Sequence, residues 1–200
     1  MVNSSSSSAR TKRLVGMGLF TAIIVVLQLV ATFVKIGTFP VTLVLIPIVV
    51  GAAVYGPKSG AYFGGVFGVV VLIACIFGWD LGGNILWNAN PFLTLLLCLV
   101  KGMAAGWAAG MVYGAISKKN MYLGVVLAAL VCPIVNTGIF CLAMVLFYRD
   151  ILLQWAAGTS VMYFMIFGLV GVNFLLEVAI NVVLCPTVAR IIKIEKLTRR

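Results

Sequence analysis

The sequence predicts an all-α membrane protein of six transmembrane helices with both termini cytoplasmic. Three observations predict it: hydrophobic residues make up 64% of the 200 positions, charged residues only 9%, and the basic side chains gather in short segments between or beyond six apolar runs. A soluble domain carries roughly half apolar and about a quarter charged residues. A bilayer removes the need for a charged shell, which accommodates a mean hydropathy of +1.22.

The chain opens with a serine run and Arg10, Lys12 and Arg13. Residues 1–13 are too polar and repetitive to pack, so they are expected to form a disordered basic cytoplasmic tail, or in part a cloning remnant. The apolar stretch Leu14 to Val34 outlasts a signal-peptide core and lacks a clear small-x-small cleavage site, so it is expected to stay as the first span. The next runs are Val41 to Tyr55, Gly60 to Gly78, Pro91 to Ile116, Tyr122 to Phe147 and Val161 to Ala189. The second is short of the ~20 residues that cross hydrocarbon and contains Pro47, which predicts a short or distorted span. One six-helix membrane domain, residues 14–193, is followed by a basic tail at 194–200.

The net charge of +10 comes from 14 Lys and Arg against 4 Asp and Glu. With the N-terminus inside, Arg10, Lys12, Arg13, Lys58, Lys118, Lys119, Arg190, Lys193, Lys196, Arg199 and Arg200 all lie in the cytoplasm. Lys35, Asp80, Arg149 and Asp150 fall outside and cancel, while Lys101 and Glu177 are left within apolar helices. This distribution predicts a lipid partner and no nucleic-acid partner.

Enzymatic chemistry finds little support. Gly51 to Ser59 superficially resembles a phosphate-binding loop, but Pro57 splits the Gly-Lys pair and no strand precedes it, so a Gly-Pro turn is expected. The chain has no histidine to serve as a base beside a serine. Cys75, Cys98, Cys132, Cys141 and Cys185 stand singly in apolar stretches, without metal-ligand spacing. No catalytic residue, metal site or resident cofactor is expected.

Polar groups inside the helices carry more information, because each is costly in hydrocarbon and needs a partner, a cavity or a ligand. Counted from the cytoplasmic ends, Gln28, Lys101, Asn136, Asn173 and Glu177 fall in a layer roughly 6 Å thick. Asn173, Glu177 and Asn181 share one face of the last helix, which should turn into the bundle. Lys101 and Glu177 read either as a structural ion pair or as groups that meet a polar solute. Between the third and fourth runs, Trp79, Asn84, Trp87, Asn88 and Asn90 surround Gly82-Gly83, which suits either interfacial anchoring or a mobile recognition lid. Lys35 and Thr38, after the first helix, border the same side.

Small residues at every fourth place mark close helix packing: Gly18 and Ala22; Gly60, Gly64 and Gly68; Gly102, Gly106, Gly110 and Gly114. The last array suits the internal bundle, whereas Gly18 and Ala22 could face either the bundle or another membrane subunit.

The basic N-terminus, the small-xxx-small motif in the first helix, the short Pro-containing second helix and six spans in about 200 residues resemble the S component of energy-coupling factor (ECF) transporters. Lys101-Gly102 with its following small residues, and Cys132-Pro133-Ile134-Val135-Asn136-Thr137-Gly138, resemble the branch associated with pantothenate uptake. The resemblance implies a vitamin-binding subunit in a bacterial cell membrane. It implies as partners a transmembrane scaffold (T component), contacted through Gly18 and Ala22, and two ATPase subunits that hydrolyse ATP. It also implies substrate contacts from the first and third loops and helices four to six, which takes in Lys101, Asn136, Asn173, Glu177, Trp87, Asn88, Asn90, Asn84, Lys35 and Thr38.

A missing motor agrees with this. Each tenfold accumulation costs about 1.4 kcal/mol, and the chain carries neither a nucleotide loop nor a series of intramembrane acids. Two other readings remain open at the level of sequence: a self-sufficient carrier or channel, proton-coupled through Glu177, and a membrane scaffold without a ligand.

Overall fold

A computed structural model of the chain describes residues 4–33, 35–36, 39–40 and 44–198, with side chains at 10–33, 44–165, 167, 171, 174–175 and 177–194. Helix α1 spans Ser4–Phe33 and begins well before the apolar run that starts at Leu14. The sequence expects a tail as far as Arg13; propagating an established helix adds one hydrogen bond per residue, so polar residues of ordinary propensity extend it. One face of α1 is buried through Ile24, Gln28, Ala31 and Thr32, and Phe20 meets Tyr55 and Phe63 at 5.9 Å each.

Beyond α1 the backbone forms a two-residue antiparallel ladder, β1 (Lys35–Ile36) with β2 (Phe39–Pro40), pairing Lys35 with Pro40 and Ile36 with Phe39. This small departure from an all-α chain fits Ile and Phe, which favour extended backbone. Thr38 lies outside the described residues, as does the side chain of Lys35.

Helix α2 (Leu45–Tyr55) has 11 residues and is buried along nearly its whole length. At ~1.5 Å per residue it covers about half of the hydrocarbon thickness. Pro47 does not distort it. The proline sits in the first turn, where a missing N–H forfeits no intrahelical bond. Gly56, at φ +95°, ends α2 and opens α3 (Pro57–Ile76), with Pro57 at the first helical position. An L side chain strains this backbone, so the expected Gly-Pro turn has a steric basis.

Helices α4 (Leu81–Ala89), α5 (Pro91–Ile116), α6 (Met121–Phe147) and α7 (Arg149–Ala156) follow. The tightest contact in the bundle is α3 against antiparallel α5. A Cβ on Gly60, Gly64 or Gly68 would run into the backbone oxygen of Gly106, Gly102 or Cys98 respectively, and a Cβ on Gly110 would stand 2.6 Å from Pro57 Cα. Both glycine arrays therefore serve the internal bundle. Gly114, where nothing lies within 4 Å of such a Cβ, is outside that contact.

The last apolar run is divided into α8 (Val161–Tyr163), a π-helical stretch Phe164–Gly171, and α9 (Val172–Thr198), which contains Pro186 and continues through most of the expected basic tail. Among the described residues, four helical segments are long and apolar enough to cross a membrane, namely Arg10–Phe33, Pro57–Ile76, Pro91–Ile116 and Met121–Phe147. The main core joins α1, α2, α3, α5, α6 and α9 around Phe63, Phe67, Ile48 and Val125. A second cluster at one end ties Leu86 and Leu97 to Met144, Tyr148 and Leu152.

Candidate functional site

The feature that positions polar chemistry is the junction of α3, α4 and α5. Asp80 caps α4, its Oδ1 accepting a hydrogen bond from the Gly83 N–H at 3.1 Å. Asn90 caps α5 in the same way, accepting from the Leu93 N–H at 3.1 Å, with Pro91 at the first helical position. The Asn84 amide donates to the Cys75 carbonyl at 2.8 Å and so fastens α4 to the end of α3. The segment read from sequence as either interfacial anchors or a recognition lid is a capped helix held to the bundle.

Beneath α4 lies a small cavity of about 30 Å³, room for a water or two in its present outline. Cys75 from α3, Gly83 and Leu86 from α4, Thr94, Leu97 and Cys98 from α5, and Phe140 from α6 supply most of its wall. Among the described residues, two charged ones border it, Lys101 and Asp80. Lys101 Nζ stands 5.3 Å from the centre of the Phe140 ring, within cation–π range. Asp80 is only 7% exposed. The Thr94 hydroxyl is held 2.8 Å from the Tyr148 hydroxyl and donates to the Asn90 carbonyl at 2.9 Å; Tyr148 also donates to that carbonyl at 3.3 Å.

The other residues of the expected polar layer go elsewhere. Gln28 and Asn136 are buried, and Gln28 Oε1 and Asn136 Oδ1 lack hydrogen-bond partners among the described residues. Asn136 sits one helical turn from Phe140 on α6, outside the cavity wall. Glu177 and Asn181 are buried on α9 against α6: Asn181 donates to the Ala129 carbonyl at 3.2 Å, and Glu177 lies within electrostatic reach of Cys132. Asn173 lies on α9 with its side chain outside the described set. Lys101 turns to Phe140 and the cavity, and Glu177 is not in the wall of that cavity among the described residues.

In the α4 region, Trp87 is half-buried against the main core, and Asn88 is exposed, donating to the Asn84 carbonyl at 3.0 Å. Gly18 and Ala22 lie on the exposed face of α1 beside Val15, Leu19 and Val26. A Cβ on Gly18 would meet nothing within 4 Å.

The sequence expectation missed Asp80 and Thr94 as site residues. Asp80 was readable as a helix cap ahead of Leu81, and Thr94 as a hydroxyl one turn into an apolar helix. Thr94 precedes Lys101 by two turns on one face of α5, which the helical period also gives; what sequence could not give is that the packing of α3 and α4 on α5 brings Asp80 to that face.

The family model for "ECF transporter, substrate-specific component" matches residues 12–189. The chain belongs to this family. Comparison with individually curated proteins gives no match. As an ECF substrate-specific component, the chain is a multi-pass membrane protein and the substrate-binding subunit of a transporter, and members of this family associate with the T component and ATPase subunits.

Proposed function

We propose that this substrate-specific component captures pantothenate at the outer face of a bacterial cell membrane and releases it inward with a transmembrane scaffold and two ATPases. The observation that carries the reading is Lys101, an ammonium on a membrane helix with no ion pair among the described residues, bordering a cavity under α4. Holding such a charge at bilayer depth costs ~2.5 to 3.5 kcal/mol on insertion scales, which a ligand carboxylate offsets. A cationic vitamin such as thiamine meets the wrong sign.

The topology proposed has six crossings with both termini cytoplasmic, using α1, the α2 region, α3, α5, α6 and the final α8 to α9 run. Its support is the basic charge of the Lys58, Lys118 and Lys119 turns and of the two ends. In this orientation α4 covers the outer mouth. A vitamin as long as pantothenate needs more room than the cavity's present outline, and an outward shift of α4 would enlarge it and bring the Asn136 acceptor within reach of an amide N–H. The exposed Gly18 and Ala22 face of α1 is the proposed contact with the scaffold subunit, which can approach closely over small residues. A proton-coupled carrier acting through Glu177 is less well supported, because Glu177 packs on α6 away from the Lys101 cavity.

Ligand-dependent thermal shift of the purified chain across a vitamin panel tests the proposal, since binding to the folded state alone raises apparent stability. Pantothenate should raise the midpoint, and Lys101→Ala should abolish the shift. A shift with folate, riboflavin or pyridoxine alone, or unchanged pantothenate affinity in Lys101→Ala, rules it out.

A further inference from the structure

We infer that Asp80 is the second pole of the ligand site, an acceptor that selects solutes carrying hydroxyl or amine donors at the end opposite their carboxylate. The inference deepens the proposed function and rests on Lys101 as the anion-binding pole.

Asp80 borders the same cavity as Lys101, yet the two form no ion pair among the described residues. A carboxylate offers about four acceptor positions. The α4 cap uses one, through Oδ1 and the Gly83 N–H, while Oδ2 accepts no hydrogen bond from a described residue. Nearby donors do not fill this capacity. The Thr94 hydroxyl is committed to Asn90 and Tyr148, and the Cys75 and Cys98 thiols are weak donors.

A buried carboxylate is costly unless donors surround it. A purely anionic solute satisfies Lys101 and is repelled by Asp80; a purely cationic one does the reverse. A hydroxy acid or zwitterion satisfies both at once. The cavity therefore favours a ligand with an anionic end and a donor-rich end, and the hydroxyls of pantothenate fit that description. Because Asp80 also caps α4, a ligand that engages it contacts the first turn of the helix that covers the site.

The test compares Asp80→Asn with the unaltered chain in lipid nanodiscs by titration calorimetry. Asn also caps helices, and thermal midpoints of the unliganded Asp80→Asn and Asp80→Ser proteins verify that the fold is kept. The probes are pantothenate and 3,3-dimethylbutanoyl-β-alanine, which keeps the carboxylate and amide but lacks both hydroxyls. The unaltered chain should prefer pantothenate by about tenfold or more, and Asp80→Asn should erase the preference by weakening pantothenate alone. Equal weakening of both probes, or unchanged affinity for both, overturns the inference. Should the unaltered chain bind a different vitamin, the pantothenate reading fails on its own. Asp80 is then judged by the same comparison, using that vitamin and its analogue stripped of hydroxyl and amine donors: a donor preference lost in Asp80→Asn upholds the inference, and one retained overturns it.

Discussion

Lys101 Nζ and the Phe140 ring centre are 5.3 Å apart, so the ammonium of α5 rests on an aromatic side chain of α6. The contact joins the charged pole of the cavity to the helix that also carries Asn136, and it partly compensates Lys101 for lost hydration. Cation–π contacts contribute ~0.5 to 2 kcal/mol, with the larger values where water is excluded. Phe140→Leu should therefore lower unliganded stability by about 1 kcal/mol beyond its change in packing. In a double-mutant cycle with Lys101→Met, read from thermal unfolding, strictly additive effects would refute the coupling.

The α3–α5 crossing leaves no space for a methyl group. Gly64→Ala or Gly102→Ala places a Cβ against the partner's backbone oxygen, and backbone cannot swing aside as a side chain can. Each should destabilise the bundle by about 1 to 3 kcal/mol or more. Gly114→Ala, with open space around it, should be neutral or slightly stabilising. Midpoints of the three variants in one detergent decide the matter.

Tyr148 links the start of α5 to the end of α6 through Thr94 and the Asn90 carbonyl. Tyr148→Phe should cost about 0.5 to 1.5 kcal/mol and loosen the α4 end of the bundle. Hydrogen exchange of the amides in residues 81–97 should then rise relative to those of α3; a uniform rise across both would point to global destabilisation instead.

Asn136 Oδ1 and Gln28 Oε1 are buried without partners among the described residues. An unsatisfied buried acceptor carries a penalty of about 1 to 3 kcal/mol, so Asn136→Leu should hold or raise the unliganded midpoint. If Asn136 meets the vitamin's amide, the same substitution should shrink the pantothenate-induced shift; an unchanged shift places it outside the site.

Gly18→Leu and Ala22→Leu fill an exposed strip of α1, where a Cβ on Gly18 meets nothing within 4 Å. Stability and vitamin affinity should stay as they are, while co-purification with the scaffold and ATPases should fall sharply. Retained co-purification would move the contact elsewhere.

Much of the fold was legible because its causes are local. Asn90 ahead of Pro91, Gly56 ahead of Pro57 and the fourfold glycine spacing each encode a helix start, a turn or a close approach in a few adjacent residues. The π-helical stretch at Phe164–Gly171 and the early start of α1 were not legible, since helix extension and register depend on neighbours distant in sequence.

The site divides in the same way. Lys101 could be singled out from sequence, because a charge in an apolar helix is conspicuous on grounds of solvation alone. Depth along each helix also placed Gln28, Asn136 and Glu177 near it, but depth says nothing about rotation or about which helices are adjacent. The sequence by itself determined a multi-pass helical membrane protein with polar groups committed to its interior, because hydropathy and charge placement are additive along the chain. Only the tertiary structure decided that Lys101 shares a cavity with Asp80 while Glu177 of α9 lies outside its wall, because the glycine-tight crossing of α3 and α5 and the cap that holds α4 across them bring Asp80 to the α5 face that carries Thr94 and Lys101.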